Sequence, residues 1–532
     1  MPHSTSPVKH RVANGFEVPE KVLPVTLLSG FLGSGKTTLL QHILKSEHGL
    51  RIAVIVNDIG AVNVDASLIN HRLTKTEEKV IALQNGCICC TLRGDLLEEL
   101  VKLSELHTFD YIVIESSGIS EPEQVAETFD NKLADSMRMV LEEGEGLDED
   151  TAKALERISS AGGIEKFAKL DTCVTVIDAF TIYNDFHTDQ LLSARRDDVV
   201  PEDERTVSDL MVDQIEFADV VILNKTDMVT PENRFRILAL IKQLNHRAKI
   251  IETNYGRVDV KEIVNTGLFS LEHAQAGYGW LQDLHEMTLR EVNGKVRATP
   301  KPETEEYQVR NFIYSRTKPF HPRRLWTLLY DKFILQLEHP DEDGEDMDVD
   351  SEQEEEEEDD DDESMSDEDP LDMPSNDIIL ANKKASPLFG RLFRSKGEFL
   401  LATRPDRAGE WSQAGAMLTL TGGRPWFCTL PPEEYTTGDE QVDAMVRYDM
   451  AKGGEWGDRR QELVFIGEKL DIEGLREVLD ACLLTDDEFE AWKGVMRNGV
   501  LSEEARKQAL EDLFDDGFPD WPEDEGHEGH EH

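Results

Sequence analysis

A glycine-rich stretch, GFLGSGKT at positions 30–37, has the residue types and spacing of a phosphate-binding loop. Glycines let successive backbone N–H groups converge on phosphate oxygens, because no Cβ atom stands in the way. The lysine of the stretch can reach the β- and γ-phosphates of a nucleotide, and the threonine hydroxyl that follows is a ligand for Mg²⁺. The predicted nucleotide-binding residues of this stretch are Gly30, Gly33, Ser34, Gly35, Lys36, Thr37 and Thr38.

A tetrapeptide, NKTD at positions 224–227, follows an apolar run and favours guanine as the base. The carboxylate of Asp227 can accept from both N1–H and N2–H₂ of guanine, a donor pair that adenine lacks. The stem of Lys225 can lie along the plane of the base, and Asn224 can brace the loop. We therefore predict GTP as the nucleotide, and the same pattern disfavours a nucleotide-dependent kinase.

Acidic residues end three other apolar runs. In YIVIESSG, at positions 111–118, Glu115 stands where phosphate-loop enzymes carry an acid near Mg²⁺, and Gly118 leaves room near the γ-phosphate. Asp178 in TVIDAF is a similar acid, which the pattern assigns a structural role. The predicted catalytic residues are Lys36, Glu115 and Gly118, and the predicted Mg²⁺ ligands are Thr37, Asp58 and Glu115.

Three of the six cysteines fall within four residues, CICC at positions 87–90. Thiolates are soft ligands that suit Zn²⁺ or Cu(I), and three of them leave the fourth tetrahedral position open, which suits transfer rather than storage. A redox role is disfavoured, because adjacent cysteines pair poorly and the motif is not Cys-x-x-Cys. A Cys87–Cys89 disulfide and simple core packing remain alternatives. We predict a zinc site at Cys87, Cys89 and Cys90.

Short apolar runs alternate with helical stretches around these motifs. The predicted buried strands cover 51–58, 79–86, 109–118, 173–180, 218–227 and 248–254, in addition to the run before the phosphate loop. This alternation is typical of a parallel sheet covered by helices on both faces. The sequence therefore predicts an α/β fold, a phosphate-loop NTPase domain with a parallel sheet, joined to a smaller α+β C-terminal domain with an antiparallel sheet.

The formal net charge of the 532 residues is −53, which argues against nucleic acid as a partner because phosphate binding needs a basic surface. No apolar run approaches the roughly 20 residues that span a bilayer, and the first residues lack the apolar core of a secretory signal. Six cysteines are too few for a disulfide framework in a chain of this length. We expect a protein of the cytoplasm or nucleus with no membrane partner.

Composition divides the chain further. Residues 339–371 are almost wholly acidic and lack apolar surface to bury, so they are predicted to form a disordered insertion. The tail is acidic and carries His527, His530 and His532, a short tract that could recruit metal. The predicted organisation is a flexible N-terminus 1–22, a GTPase domain 23–275, a connector 276–306, a C-terminal domain 307–495 around the insertion, and a tail 496–532.

Four stretches in this order, SGFLGSGKTTLL, QNGCICCTLRGDL, ESSGISEP and LNKTD, resemble the CobW-type phosphate-loop GTPases. The later stretches KPFHPRRLW, RSKGEFLLA, WSQAG and QELVFIGEKLD are similar to the C-terminal domain of that family. The resemblance covers about 24–275 and 307–485. It implies that the Cys-x-Cys-Cys motif binds a transition metal, most commonly zinc, and that nucleotide state is coupled to metal binding.

The resulting hypothesis is a GTP-hydrolysing metallochaperone that uses GTP, Mg²⁺ and Zn²⁺ and delivers zinc to a client metalloprotein of unknown identity. One alternative is a cobalt chaperone for corrinoid synthesis, since affinity order alone does not set metal selectivity. Another is a regulatory GTPase whose cysteines are structural. The roles of His321, Arg394 and Lys396 stay open, with domain packing favoured for His321 and contact with a nucleotide or client considered for the other two.

Overall fold

A computed structural model describes most of the chain in two units. The described residues are 12–13, 16–17, 21–57, 79–83, 92–118, 120–129, 149–186, 206–270, 309–337, 374–436, 440–519 and 521. Contacts between Cα atoms separate a first unit, Met1–Arg310, from a second unit, Asn311–His532. No helix in these ranges is long and apolar enough to span a bilayer.

The first unit is built on a seven-stranded sheet in which every pair of neighbours runs parallel. Its spatial order is β5-β4-β6-β3-β7-β8-β9, and β1 and β2 form a separate antiparallel pair. The strands are β1 (Val12–Ala13), β2 (Phe16–Glu17), β3 (Leu23–Ser29), β4 (Ile52–Asn57), β5 (Lys79–Leu83), β6 (Tyr111–Glu115), β7 (Ala168–Asp178), β8 (Val220–Asn224) and β9 (Lys249–Glu252).

Helices join these strands, as parallel pairing requires. They are α1 (Lys36–Lys45), α2 (Leu92–Glu105), α3 (Pro122–Glu127), α4 (Glu149–Ala161), α5 (Ile182–Phe186), α6 (Val207–Glu216) and α7 (Pro231–Leu244). Their starts are encoded locally: the hydroxyl of Thr206 accepts from Asp209 N at the start of α6, and Thr230 followed by Pro231 opens α7.

Side chains of the strands alternate between two buried layers, which explains why the strands are apolar throughout. In β3, Val25 and Leu27 pack against α2 and α4, while Leu28 packs with α1 on the opposite face. The same two-residue period divides β4 and β6 between the two layers. Helices therefore cover both faces of the sheet, and the predicted α/β fold is confirmed.

Parallel pairing also brings the carboxyl ends of the strands to one edge. Asp178 at the end of β7 is aligned with Asn224 at the end of β8, and Leu28 in β3 is aligned with Glu115 at the end of β6. The residues that follow β3, β6, β7 and β8 consequently share this edge, where ligands bind in open α/β sheets.

The second unit contains a six-stranded sheet in the order β10-β15-β12-β13-β14-β11. Its strands are β10 (Val309–Arg316), β11 (Ile334–Leu337), β12 (Leu392–Phe399), β13 (Arg407–Ala414), β14 (Met417–Pro425) and β15 (Gln461–Glu468). Its helices are α8 (Pro322–Leu329), α9 (Asn376–Ala385), α10 (Pro432–Tyr435), α11 (Glu440–Lys452), α12 (Ile472–Cys482), α13 (Asp486–Met496) and α14 (Glu503–Phe514).

Two features of this unit differ from the sequence-based expectation. Strand β11 pairs parallel with β14, so the sheet is mixed, because α8 separates β11 from β10 and delivers it to the other edge. Helix α14 lies beyond residue 495, and Leu510 and Phe514 pack there with Trp492. Acidic residues around Leu510 and Phe514 obscured the helical spacing of these apolar residues in the sequence. Further along the chain, the ring of Trp521 also packs on this unit, 6.1 Å from that of Phe399.

A partly buried acid at the opposite, amino edge of the first sheet gives a test of the fold. Asp219 directly precedes β8, and its Oδ2 accepts from Cys173 N at 2.7 Å. Burial, with a smaller contribution from the nearby Asp171, raises the pKa of Asp219 to about 6. Because this pKa lies above the unfolded value, the carboxyl group imposes no penalty at low pH, where it is protonated in both states. Stability falls as the pH rises from the unfolded pKa toward the folded one, because the unfolded chain loses this proton first.

We expect Asp219→Asn to stabilise the chain at neutral pH, because the amide oxygen can still accept from Cys173 N without burying a charge. Its advantage over the wild type should grow by about 2 kcal/mol between roughly pH 4 and 6 and level off above that range. Thermal unfolding midpoints of both proteins across this range test the prediction, and an advantage that does not change with pH would contradict it.

Candidate nucleotide-binding site

The phosphate loop, residues 30–37, joins the end of β3 to the start of α1, and its backbone shape requires glycine. Gly30 and Gly35 have φ angles of +132° and +110°. A Cβ atom on Gly30 would lie 2.3 Å from Val176 O, and one on Gly35 would lie 2.3 Å from Asn224 Nδ2. These two glycines therefore permit the close approach of the loop to β7 and β8.

The middle of the loop is open. Gly33, with φ of +78°, has nothing within 4 Å of the position that a Cβ atom would take. The side chain of Ser34 is buried, and its Oγ has no hydrogen-bond partner among the described residues. A free cradle beside a buried hydroxyl without a partner is what a bound phosphate group would fill.

Side chains hold the loop's carbonyl groups from the protein side. Lys36 Nζ donates to Gly30 O at 2.6 Å and to Phe31 O at 3.3 Å. Asn224 Nδ2 donates to Ser34 O at 2.9 Å. The lysine that would contact phosphate is thus already inside the loop, and its side chain is buried.

The predicted magnesium ligands Thr37 and Glu115 are in direct contact. Thr37 Oγ1 donates to Glu115 Oε1 at 3.0 Å, across the gap between α1 and the end of β6. Gly118 lies against the phosphate loop, since a Cβ atom there would be 3.0 Å from Leu32 N. Thr38 is exposed in the first turn of α1. A hydroxyl and a carboxylate at this distance are a donor set suited to Mg²⁺.

The base-recognition loop, residues 224–227, begins at the end of β8. Asn224 braces it as expected, because its Oδ1 also accepts from Gly256 N at 3.2 Å. Lys225 adopts a left-handed conformation with φ of +58°, and its Nζ donates to Gly33 O at 2.8 Å. Asp227 is exposed, so its carboxylate is accessible to a base.

Two residues of this edge were not predicted to act there. Asn254, just after β9, accepts through Oδ1 from Asp227 N at 3.0 Å and from Thr226 Oγ1 at 2.9 Å. Asp178, which sequence analysis assigned a structural role, lies 2.5 Å from Lys225 Nζ. Asp178 is the last residue of β7 and Asn254 lies two residues after β9, and this position at the carboxyl ends of parallel strands was the available signal.

Other predicted site residues lie outside the described part of the chain. They are Asp58, Cys87, Cys89, Cys90, His527, His530 and His532. Among the residues that the structure does describe, no group of three or more His, Cys, Asp or Glu side chains could hold a metal ion. Cys173 and Cys482 are buried free thiols, and burial raises the pKa of both, as expected for core packing.

The candidates in the second unit have local partners. The ring of His321 contacts that of Phe514 edge-on at 5.9 Å, which agrees with the packing role favoured from sequence. Arg394 is buried, and its Nη1 donates to Ser412 Oγ at 2.8 Å. Arg394 is therefore a structural residue rather than one exposed for a nucleotide or client.

Comparison with known proteins identifies the family. The CobW/HypB/UreG nucleotide-binding domain matches residues 24–148 and 132–252, and the C-terminal domain of the cobalamin synthesis protein cobW matches residues 364–483. Zinc-regulated GTPase metalloprotein activator 1 of Dictyostelium discoideum is 36% identical over 502 residues, which cover 92% of this chain and 85% of that protein. The chain belongs to the CobW family of GTPases. It is accordingly an enzyme that hydrolyses GTP.

The chain is also similar to a bacterial protein at lower identity. The zinc chaperone YjiA of Escherichia coli is 30% identical over 255 residues, which cover 47% of this chain and 63% of that protein. A zinc-bound crystal structure of the E. coli GTPase YjiA is 17% identical, covering 87% of this chain and 100% of that one, with a TM-score of 0.30. So low a score supports no argument, and the fold assignment follows from strand order and register.

Two glycine substitutions separate loop geometry from ligand binding. Gly33→Ala should cost only about 1 kcal/mol of stability, because the space is open and the strain comes from the positive φ angle alone. It should nevertheless weaken GDP binding by more than about tenfold, because the new methyl group occupies the cradle.

Gly35→Ala should lower both stability and GDP affinity, because its Cβ atom displaces Asn224. Calorimetric titration with GDP and thermal unfolding of both variants check these expectations. Gly33→Ala protein with wild-type affinity would show that the open face of the loop is not the face that binds phosphate.

Proposed function

We propose that this CobW-family GTPase binds GTP at the carboxyl edge of its first sheet and uses the nucleotide state to control zinc transfer to a client metalloprotein. One observation carries the nucleotide half of this proposal. The phosphate loop, Glu115 and the base-recognition loop meet at one edge through direct contacts, Thr37 with Glu115 and both Asn224 and Lys225 with the loop.

The proposed contacts with GTP divide between its two ends. At the phosphate end, Lys36 exchanges its bonds to Gly30 O and Phe31 O for the β- and γ-phosphates, and the start of α1 adds a favourable dipole. At the base end, Asp227 accepts from guanine while the stem of Lys225 lies along the ring. Predicted contacts of Gly30, Gly33, Ser34, Gly35 and Thr38 complete the phosphate side.

Thr37 and Glu115 would hold Mg²⁺, and their hydrogen bond at 3.0 Å supports this assignment. The ion supplies charge neutralisation at the β- and γ-phosphates when it is bound. In hydrolysis, Lys36 stabilises the negative charge that develops as water attacks the γ-phosphate in line. Gly118 lets the segment after β6 pack against the phosphate loop, because a Cβ atom there would lie 3.0 Å from Leu32 N.

Zinc is the proposed cargo, and Cys87, Cys89 and Cys90 are its proposed ligands. Two arguments support this assignment: three thiolates form an open, transferable site, and two relatives carry zinc in their names. Cys173 and Cys482 are poor competitors for zinc, because both are buried with raised pKa values. His527, His530 and His532 would capture zinc weakly and raise its local concentration.

Coupling between nucleotide and zinc has a physical route. The cysteine motif begins four positions after Leu83, the last residue of β5, and β5 belongs to the same parallel sheet as β6, whose last residue is Glu115. Contacts to the γ-phosphate at Glu115 and Gly118 would bias the loops of this edge toward one arrangement. Reciprocity then requires zinc to change nucleotide affinity by the same factor.

The guanine assignment predicts a change of specificity. Asp227→Asn should weaken GDP binding by about 10²-fold or more, because one charged acceptor is lost from a bidentate pair. Xanthosine diphosphate should now bind more tightly than GDP, since the amide N–H₂ can donate to the carbonyl at C2 of xanthine. Competitive titration with both nucleotides measures this, and unchanged GDP affinity would exclude Asp227 as the guanine contact.

The zinc assignment is tested with metal-free protein. Zinc affinity measured with GDP and with a non-hydrolysable GTP analogue should differ by about tenfold or more, equivalent to about 1.4 kcal/mol of coupling. Combined Cys87, Cys89 and Cys90→Ser substitution should abolish zinc binding, while Cys428→Ser, outside the motif, should leave it unchanged. Tight zinc binding that ignores the nucleotide would instead favour a regulatory GTPase with structural cysteines.

A further inference from the structure

One carboxylate connects three elements of the nucleotide edge. Asp178 Oδ2, at the end of β7, lies 2.5 Å from Lys225 Nζ, and the same ammonium group donates to Gly33 O at 2.8 Å. Lys225 thereby joins β7, the base-recognition loop and the phosphate loop. The side chain of Asp178 is 10% exposed and that of Lys225 is 32% exposed, so the ion pair is partly shielded from water on its carboxylate side.

Backbone hydrogen bonds fix the Asp178 carboxylate independently of Lys225. Asp178 Oδ1 accepts from Phe180 N at 2.9 Å, which holds the side chain in its own turn. Across the strand pair, Ala179 N donates to Asn224 O at 3.0 Å, so the turn after β7 is tied to the start of the base-recognition loop. Asp178 is a rigid acceptor rather than a mobile surface acid.

Lys225 is fixed at its backbone and at its ammonium group, so its stem is preorganised for contact with a ligand. A free lysine side chain loses substantial rotamer entropy when a ligand immobilises it. Here the left-handed backbone of Lys225 sets the direction of the stem, and Asp178 with Gly33 O fixes its ammonium end. Much of the entropic cost of ordering the stem is therefore met during folding rather than during nucleotide binding.

We propose that Asp178 is a positioning residue for guanine nucleotides, which fixes Lys225 so that its stem forms a ready platform for the base. The inference rests on the proposed nucleotide site and extends it to a residue outside both binding loops. It also predicts the direction of one effect on GDP affinity. Without Lys225, the carboxylate of Asp178 has no ammonium partner beside the phosphate loop and repels a bound phosphate.

A double-mutant cycle on the full-length chain tests the proposal by calorimetric titration with GDP. Asp178→Ala should weaken binding by about tenfold, the factor associated with immobilising one long side chain. Lys225→Ala should weaken it more. The double variant should bind no more weakly than Lys225→Ala alone, because Asp178 then has no lysine to position and its carboxylate no longer repels phosphate. Losses that simply multiply in the double variant would overturn the proposal.

Two variants guard against a misfolding artefact. Asp178→Asn keeps an acceptor for Phe180 N but turns an amide N–H₂ toward the ammonium group, so it should lose at least as much affinity as Asp178→Ala. Asp219→Asn removes one partly buried acid at the opposite end of the same strand pair and should bind GDP like the wild type. Wild-type affinity in Asp178→Asn would overturn the proposal.

Steady-state GTP hydrolysis separates positioning from a general distortion of the site. Asp178→Ala should raise KM with little change in kcat, because Lys225 holds the base in the ground state and the transition state alike. A fall in kcat with unchanged KM would overturn the proposal. If the wild-type chain binds no guanine nucleotide, the proposed function is overturned as well. If the wild type binds GDP and Asp178→Ala binds it with the same affinity, only this inference is overturned.

Discussion

The parallel register of the first sheet is the constraint on which the nucleotide site depends. Parallel neighbours all end on one side, so residues far apart in sequence become neighbours at the carboxyl edge. Asp178 and Asn224 face each other only because β7 and β8 are paired in register, and Glu115 meets Thr37 only because β6 lies beside β3. A shift of one residue in either pair would turn these side chains to the other face of the sheet.

The phosphate loop at this edge is held by hydrogen bonds from protein side chains to its carbonyl groups. Side chains of Lys36, Asn224 and Lys225 donate to carbonyl groups of the loop, and each of these donors has its own place in the proposed recognition of GTP. Because the C=O and N–H groups of a peptide unit point in opposite directions, holding carbonyls toward the protein turns the neighbouring N–H groups outward. The proposed base-recognition and phosphate-binding residues are therefore linked by hydrogen bonds to one loop.

Buried guanidinium groups of the second unit have partners within that unit. Arg394 is buried against Ser412, and Arg404 pairs with Asp516 at 3.0 Å while donating to Phe518 O. Such partners satisfy guanidinium groups that would be costly to bury alone. The bond to Asp516 also holds the segment after α14 on the unit, which explains why its structure continues beyond the apolar pattern visible in the sequence.

Much of the nucleotide site was predictable from sequence, because glycine spacing and strand-end acids are local features whose chemistry depends on residue type. By itself the sequence determined the α/β alternation, the phosphate-loop pattern, the NKTD pattern at positions 224–227 that favours guanine, and the soft-metal character of the CICC motif at positions 87–90. Only the tertiary structure decided that Asp178 binds Lys225 and that Asn254 supports Asp227. It also showed that β11 runs parallel to β14. These contacts depend on strand order and register, which arise from packing between segments distant in the chain and leave no signature in any single stretch.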